Sequence, residues 1–381
     1  MGCETVSLAD IAVLIPGFSF KSKEFGSGFA RAIKIGNISR GINSCDLPIV
    51  DTSKYAVGKL GKYQCVRGDY LVAMTGNTIG KIGRMLTGTA YANQRVLKVS
   101  GTDKVEPGFL WAALCTTGFH SHVLSHVDSH SAQPNISAKS IGEFKIELPD
   151  LATQKRISSV FMSIEEKIEV NNRLNGYLLE LAMARFESAL RGGSKTVRFS
   201  DIVALEDSKR VPLNSRDREA RKGPYPYYGA TSVMDYVDDY LFDGIRVLLG
   251  EDGTVIDSGG RPILQYVWGK YWVNNHAHIL ASSGEYSLEA IYVALRRTAI
   301  NHIVTGAVQM KISQRNLKSL ELEMPNLKNL DYLQDLFAAY RSNQDESAKL
   351  AFLRDALLPK LMSGEIDVSK VDLTQLNSHL A

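Results

Sequence analysis

Residues 76–82, GNTIGKI, come nearest in this chain to phosphate chemistry, with two glycines and a lysine where backbone amides can cradle an anion. The spacing is one residue short of a phosphate-binding loop, and Ile82 stands where a magnesium-binding Ser or Thr belongs, so no ATP site is expected. The second half of the chain carries Gly250-Glu251-Asp252-Gly253 at the matching point. Both segments read as tight polar turns in which glycine supplies backbone freedom, either purely structural or facing DNA. His122, His126 and His130 recur every four residues and share one face if helical. A straight row of imidazoles does not by itself converge on a tetrahedral metal centre, which leaves metal binding, phosphate or base contacts and ordinary packing as alternatives. Cys3, Cys45, Cys65 and Cys115 form neither a C-x-x-C pair nor a zinc-like cluster and read as free thiols. A nucleophile elbow, a dinucleotide fingerprint and the deaminase zinc pattern are all missing. Catalytic, cofactor and metal ligand sets are therefore not expected in this chain.

Its polar side chains suit the reading of base edges and phosphates instead. Lys21, Lys23, Lys34, Asn77, Lys81, Arg84, Asn93, Gln94 and Arg95 fall in or beside expected turns of the first half, with Gln133 and Asn135 in its last loop. The second half offers Arg216, Arg218, Arg221, Lys222, Tyr228, Asn275, His276, Gln309 and Lys311. Arg and Lys neutralise phosphates or reach guanine, while Asn and Gln pair bidentately with adenine. A solvated surface remains the alternative for each residue, and recurrence in both halves carries the collective reading.

The elements that must position these side chains are repeated. Residues 133–149, QPNISAKSIGEFKIELP, and 309–325, QMKISQRNLKSLELEMP, share Gln, Ile-Ser, an apolar Ile141 or Leu317 and a closing proline, 176 residues apart. SLADIAVL at 7–14 answers FSDIVALE at 199–206, GDYLVAMTGNTIGKIG at 68–83 answers FDGIRVLLGEDGTVIDSGG at 242–260, and ANQRVLKV at 92–99 answers NNHAHILA at 274–281. Each half thus reads as a mixed α/β module of strands, a Gly-rich turn, a helix and a final Gln-containing loop, although local alternation is too irregular to give strand order.

A long amphipathic helix follows each module. Ile157, Phe161, Ile164, Ile168, Leu174, Leu178 and Leu181 form one stripe in a proline-free stretch, stopped by Arg191-Gly192-Gly193-Ser194. Leu333, Leu336, Tyr340, Leu350, Leu353, Leu357 and Leu361 form the second, broken toward its end by Pro359 and Gly364. A helix of about 38 residues is about 57 Å long and marginal in water until its stripe is buried. The simplest partner for each is the other, as an antiparallel coiled coil, with Asn171 and Asn343 near the seam either fixing register or facing solvent. The expected fold is α/β, with mixed α/β modules at 1–150 and 193–327, helices at 151–192 and 328–364, and a flexible tail at 365–381.

With 381 residues, 44% hydrophobic and 22% charged, the chain suits two folded domains. A formal net charge of +3 permits nucleic-acid binding without demanding it. The absence of a basic-plus-apolar leader and of a bilayer-length apolar run makes the cytoplasm the expected location and a membrane partner unexpected.

The duplicated halves, the two module endings, the helix segment IEEKIEVNNRLNGYLLELAMARFESAL and the ending LRDALLPKLMSGEI together resemble the DNA-specificity subunits of type I restriction-modification systems, HsdS, over about residues 7–366. The resemblance implies two target-recognition domains reading an interrupted duplex sequence, joined by spacer helices that dock two methyltransferase subunits, with restriction and translocase subunits joining the full complex. It implies no catalysis in this chain: S-adenosylmethionine, ATP and magnesium belong to the partners. Tyr225 through Val233 looks like the family's entry segment to a recognition domain, whereas the first half has IKIGNISRG at 33–41 in the comparable region, so the modules read as different subtypes. The competing readings are a DNA-binding adaptor of a related defence pathway, an unrecognised enzyme and a coiled-coil spacer alone.

Charge substitutions at Leu174 and Leu353 are expected to reduce assembly or folding. Helix length is expected to set the gap between half-sites. Whole turns added or removed between residues 171 and 181 should change the spacer preference in methylation mapping; an unchanged preference would sink the ruler.

Overall fold

The computed structural model describes residues 3–56, 58–128, 134–306 and 309–372. They gather into two compact units, Met1–Asn172 with Asp345–Ala381, and Arg173–Gln344. In the first, Tyr70–Ala73 is buried along its whole length. Tyr70 and Val72 face the core formed with the helix Pro107–Leu114, while Leu71 and Ala73 face a second core around Ile33, Ile38 and Met85. Successive side chains of a strand point to opposite faces. A strand buried on both faces is apolar at every position, which is why no alternation marks it in the sequence.

Around this strand the first unit builds a sheet in the order Ala12–Pro16, Val96–Gly101, Tyr70–Ala73, Ile82–Thr87, Ile42–Asn43, parallel only at the last pair. A second sheet runs Ile49–Val50, Phe25–Ile33, Ala90–Ala92, Gln64–Cys65, with one parallel pair, Phe25–Ile33 beside Ala90–Ala92. Glu4–Ser7 pairs with Lys145–Leu148 to tie the two ends of the module.

The second unit has the same internal plan. Its first sheet runs Val203–Leu205, Ala277–Ser282, Arg246–Gly250, Leu264–Val267, and its second Val233–Val237, Lys222–Tyr228, Lys270–Val273, Phe242–Asp243. The one parallel pair is again in the second sheet, Lys222–Tyr228 beside Lys270–Val273, and Ser194–Arg198 pairs with Glu321–Pro325. The strand that answers Lys222–Tyr228 is thus Phe25–Ile33. The IKIGNISRG segment begins only at its final residue, a correction to the sequence comparison.

The long helices are Leu151–Arg191, the central helix, and Tyr332–Met362, the C-terminal helix. Within the first unit Glu165 meets Arg354 and Asn171 meets Glu346; within the second Asn175 meets Asn343, and Arg185 lies over Tyr332. Numbers fall on one helix as they rise on the other, so the pairing is antiparallel in each unit. Of the two seam asparagines expected from the sequence, Asn171 is 2% exposed and Asn343 half-buried, and Asn175, 3% exposed, joins them between the helices. The Asn171 amide donates to Glu346 at 2.7 Å, and the Asn175 amide to the carbonyl of Tyr340 at 3.2 Å.

The apolar stripe itself runs differently from the expectation beyond Ile168. Ile157, Phe161 and Ile164 are buried and Ile168 and Leu178 half-buried, but the buried positions farther along are Asn171, Asn175, Ala182 and Phe186. Leu174 and Leu181 are exposed, at 44% and 45%. A spacing of three and four residues from Ile168 falls on the asparagines, and a search for leucines alone slides onto the neighbouring face. On the C-terminal helix Leu333, Leu350 and Leu361 are buried and Leu336, Tyr340, Asn343 and Leu357 half-buried, while Leu353 is exposed and Arg354 takes the inward position. Pro359 does not break this helix, which continues to Met362 and stops before Gly364, whose φ is +75°. Beyond it Val368 is buried in the first unit's core and accepts a hydrogen bond from Arg156 through its carbonyl, so the start of the expected tail is packed.

Glu165 joins the first module to both helices. Its carboxylate accepts from Arg40 at 2.9 Å, Arg354 at 2.8 Å and the Trp111 indole at 3.1 Å, with Arg84 at 3.9 Å. Burial pushes its pKa up, but Arg40, Trp111, Arg354 and Arg84 together outweigh it and hold the carboxyl below the usual glutamate value. The second unit makes the corresponding joint with aromatic rings. Tyr266 packs on Phe337 at 4.9 Å, its hydroxyl donates to Glu289 at 2.7 Å, and Arg341 donates to it.

Glu165→Ala removes the buried carboxylate that Arg354, Arg40 and the Trp111 indole share, leaving Arg354 only the exposed Asp355, and is expected to lower stability by about 3 kcal/mol. Leu174→Asp and Leu353→Asp, on exposed faces, should stay within about 0.5 kcal/mol of wild type. Urea denaturation checks both; a tolerated Glu165→Ala would mean that the module is held to the helices by other contacts.

Candidate nucleic-acid interface

At the end of the central strand in each unit three loops are laced by backbone hydrogen bonds. In the first, Met74 N donates to Arg95 O at 2.9 Å, Ile136 N to Met74 O at 3.0 Å and Gly76 N to Pro134 O at 3.1 Å. In the second, Glu251 N donates to His276 O at 2.8 Å, Ile312 N to Glu251 O at 2.9 Å and Gly253 N to Met310 O at 3.0 Å. Gly76 and Gly253 hold the turns at φ of +69° and +83°, the left-handed conformation that glycine adopts without strain. Ser137 and Ser313 then cap the short helices Ala138–Gly142 and Gln314–Lys318 in the same way. The offset of 176 between the module endings holds, whereas the middle match shifts by one residue. Asn93 and Asn274 donate to the carbonyls of Ile33 and Tyr228, so Arg95 answers His276 and Gln94 answers Asn275.

Several sequence candidates converge on these clusters. Asn77, Gln94 and Arg95 are exposed and Asn135 half-buried in the first; Asn275, His276, Gln309 and Lys311 are exposed in the second. Arg95 sits at φ +70°, uncommon for a residue with a Cβ, and its guanidinium reaches Asn135 at 3.4 Å. His276 Nδ1 lies 2.8 Å from Asp252, and Lys311 3.5 Å from Glu251. Asn93 is half-buried and accepts from Phe20 N, which makes it a loop brace. Exposed Lys81 and Asn77 line a cleft of about 590 Å³ with Arg40 and His120.

Other candidates are placed elsewhere. Lys21, Lys23 and Lys34 are exposed around the second sheet of the first unit. Arg84 is buried and paired with Glu165 and Glu169, because its strand lies against the central helix, and so does not face solvent as expected. Arg218 pairs with Asp235 at 3.2 Å, Arg221 with Asp238 at 2.9 Å and Lys222 with Asp235 at 2.7 Å. Tyr228 packs edge-on to Tyr271 in a core, and burial raises its pKa. Arg216 is exposed. Gln133 and His130 lie outside the described residues. His122 packs on His126 at 4.2 Å with its Nε2 at the Ser140 carbonyl, which favours the packing reading of the histidine row. All four cysteines are free; burial pushes Cys65 and Cys115 up to about 12.

Sequence reasoning missed the staple beneath the second cluster. His278 is fully buried, with Nδ1 2.6 Å from Asp207 and Nε2 2.8 Å from the Ile312 carbonyl. Asp207 also accepts from Ile279 N at 2.8 Å and Gln314 at 2.6 Å, and Arg210 bridges Glu251 at 2.7 Å to the carbonyls of Asn275 and Ala277. Asp207, Glu251 and His278 have the composition of a metal site, but these protein groups already occupy the donor atoms, so the cluster works as a brace for three loops. Its members come from segments far apart in the chain, and no local motif marks them.

The chain matches the profile of the family described as type I restriction modification DNA specificity domain over residues 2–179 and 192–351. A protein of Haemophilus influenzae named as the type I restriction enzyme specificity subunit S.HindORF215P is 30% identical over 142 residues, 37% of this chain and 36% of that one. The MjaIX specificity subunit of Methanocaldococcus jannaschii is 22% identical over 318 residues, 73% of each chain. The matched segment thus spans little more than a third of the first relative. In fold, the crystal structure of the S subunit of a type I restriction-modification system from M. genitalium superposes over 95% of this chain and 96% of that one, with TM-score 0.52 and 15% identity.

Burial raises the pKa of Asp207, but hydrogen bonds from His278 and Ile279 N and the charges of His278 and Arg210 outweigh it and lower the value overall. A carboxyl depressed on folding adds stability above its unfolded pKa, about 3.9, and loses it as pH falls through the folded value. Asp207→Asn should therefore lower stability by about 3 kcal/mol at neutral pH, with the deficit shrinking below about pH 4. Urea melts across that range decide it, and a deficit independent of pH would refute the assignment.

Proposed function

Because the chain belongs to the type I restriction modification DNA specificity family, we propose that it is the non-catalytic subunit that reads a split sequence in duplex DNA for such a complex. The observation that carries this reading is the double occurrence of one three-loop cluster, held by the same backbone bonds and dressed with different polar side chains. Each bidentate contact to a base edge discriminates by about 1–3 kcal/mol, too little for one module to specify a genomic site. Two readers in one chain make the second contact intramolecular and impose a spacing on the target.

In this reading residues 1–150 and 193–327 are the recognition domains, and helices 151–192 and 328–364 are both spacer and dock. Two methyltransferase subunits bind the helices, and restriction and translocase subunits join through them. The partners bring S-adenosylmethionine, ATP and magnesium; this chain positions them on DNA in the cytoplasm. No helix among the described residues is long and apolar enough to cross a membrane. The docking faces are the apolar side chains outside the seam. Leu174, Tyr177 and Leu181, spaced by three and four residues on one face, are 44%, 58% and 45% exposed, and Phe352 and Leu353 are 79% and 43% exposed.

Single-molecule mapping of methyl-adenine in cells carrying this chain with its cognate methyltransferase is expected to give one recurring interrupted motif. Exchanging residues 1–150 for those of a relative should change one half-site and spare the other. A continuous motif, or an exchange that alters both halves, would overturn the division of labour.

A further inference from the structure

Charge is unevenly spread along the chain. Residues 18–67 hold nine Lys or Arg against three Asp or Glu, whereas the whole chain has 44 against 41, so the remainder is net acidic. Four lysines of this stretch, Lys34, Lys54, Lys59 and Lys62, lie on one aromatic cluster. Phe18 meets Tyr55 at 4.9 Å and Tyr63 at 5.3 Å, and Phe20 meets Phe25 at 6.3 Å. Lys34 lies 3.7 Å over Phe25, Lys59 5.6 Å over Tyr55 and Lys62 5.0 Å over Tyr63. Lys54, paired with Glu24, has its ammonium held below the usual lysine value by desolvation first and then by Lys21 and Lys23, which places three cations close together.

Phe29 stands outside this cluster. It is 103% exposed, more than any other large apolar side chain of the described residues. Phe25 and Ala30 both pair with Val50, so Gly26–Phe29 is an insertion that the neighbouring strand does not match. Gly26 and Gly28 hold φ of +90° and +88°, and a Cβ on Gly28 would sit 2.7 Å from the backbone of Val50 and Asp51. The glycines let the bulge close down on that strand, and the one large side chain of the bulge is left in solvent. An apolar side chain raised from a basic surface matches the way DNA-bending proteins wedge base steps apart.

We propose that Phe29 is a wedge that enters duplex DNA between neighbouring bases while Lys21 and Lys23 hold the flanking phosphates. This rests on the DNA-reading role proposed above and adds a mechanism to it: the first module recognises its half-site partly through how readily one step unstacks.

The test uses the full chain co-purified with its methyltransferase and a duplex enriched by the wild-type complex from a randomised pool. Phe29→Ala should weaken binding to the fully paired duplex by about tenfold or more. One of a series of single mismatches stepped along the duplex should restore most of that affinity, because the unstacking is already done. Phe29→Leu should keep most of the wild-type affinity, and thermal melting of both variants should match wild type since the ring touches nothing. Lys21→Gln with Lys23→Gln should weaken paired and mismatched duplexes alike and flatten the salt dependence by about two. An equal loss with Phe29→Ala on every duplex, or no loss, overturns the wedge. Unchanged DNA binding with lost methyltransferase co-purification also overturns it and assigns Phe29 to a protein contact. If the wild-type complex enriches no sequence, the DNA-reading role itself fails.

Discussion

The polar positions of the helical seam fix, within each unit, which helical side chains can lie beneath its module. An apolar stripe alone tolerates sliding, because leucines in shifted positions still bury similar area. Asn171 and Asn175 do not: away from Glu346, Asn343 and the Tyr340 carbonyl, each buried amide loses a hydrogen bond worth about 1 kcal/mol. In each unit the register so chosen decides which helical side chains lie beneath the module. In the first it brings Arg354 to Glu165, and in the second it sets Tyr340 and Phe337 against Tyr266.

The two units then meet similar structural demands with different chemistry. The first binds its module to the helices through a carboxylate ringed by arginines and an indole, the second through packed aromatic rings. The first packs Phe18, Phe20 and their neighbours beneath its second sheet, while the second braces its three loops with Asp207, His278 and Arg210. Shared between them is what side chains do not determine: the strand order of the second sheet, with a parallel pair at its centre, and the three loop-to-loop hydrogen bonds. Because those bonds are made by backbone atoms, loop side chains can be exchanged without loosening the frame.

That partition explains what was legible in the sequence. The repeat was legible where geometry restricts residue type, at Ser137 and Ser313, at Ile141 and Leu317, and at the turn glycines Gly76 and Gly253. Helix existence was legible from periodicity, but the seam beyond Ile168 was not, since its inward positions are Asn171 and Asn175 while Leu174 and Leu181 face outward. Strand order was hidden because Tyr70–Ala73 is buried on both faces. Among candidate side chains, Asn77, Gln94, Arg95, Asn275 and His276 lie exposed on loops, whereas Arg84 is buried against carboxylate partners more than 75 residues away. The Asp207 staple and Phe29 carried no local motif, although Gly-Ser-Gly before Phe29 marks a turn.

Counting cations also misjudges how the modules can meet an anionic partner. Lys21, Lys23 and Lys34 are exposed on the first, whereas Arg218, Arg221 and Lys222 of the second are held by its own carboxylates. Their availability depends on what each would leave behind. Arg218 is 17% exposed and also donates to the Leu213 carbonyl, so drawing it away breaks that bond together with its pair to Asp235, leaving Asp235 to Lys222. Arg221 and Asp238 are 34% and 50% exposed, where an ion pair is worth at most about 1 kcal/mol and water can take over both ends. A phosphate can therefore recruit Arg221 at small cost while Arg218 stays as structure. The first module meets an anion with charge already displayed, and the second must exchange a carboxylate for it. The two modules accordingly differ in the energetics of meeting an anion as well as in the side chains they present.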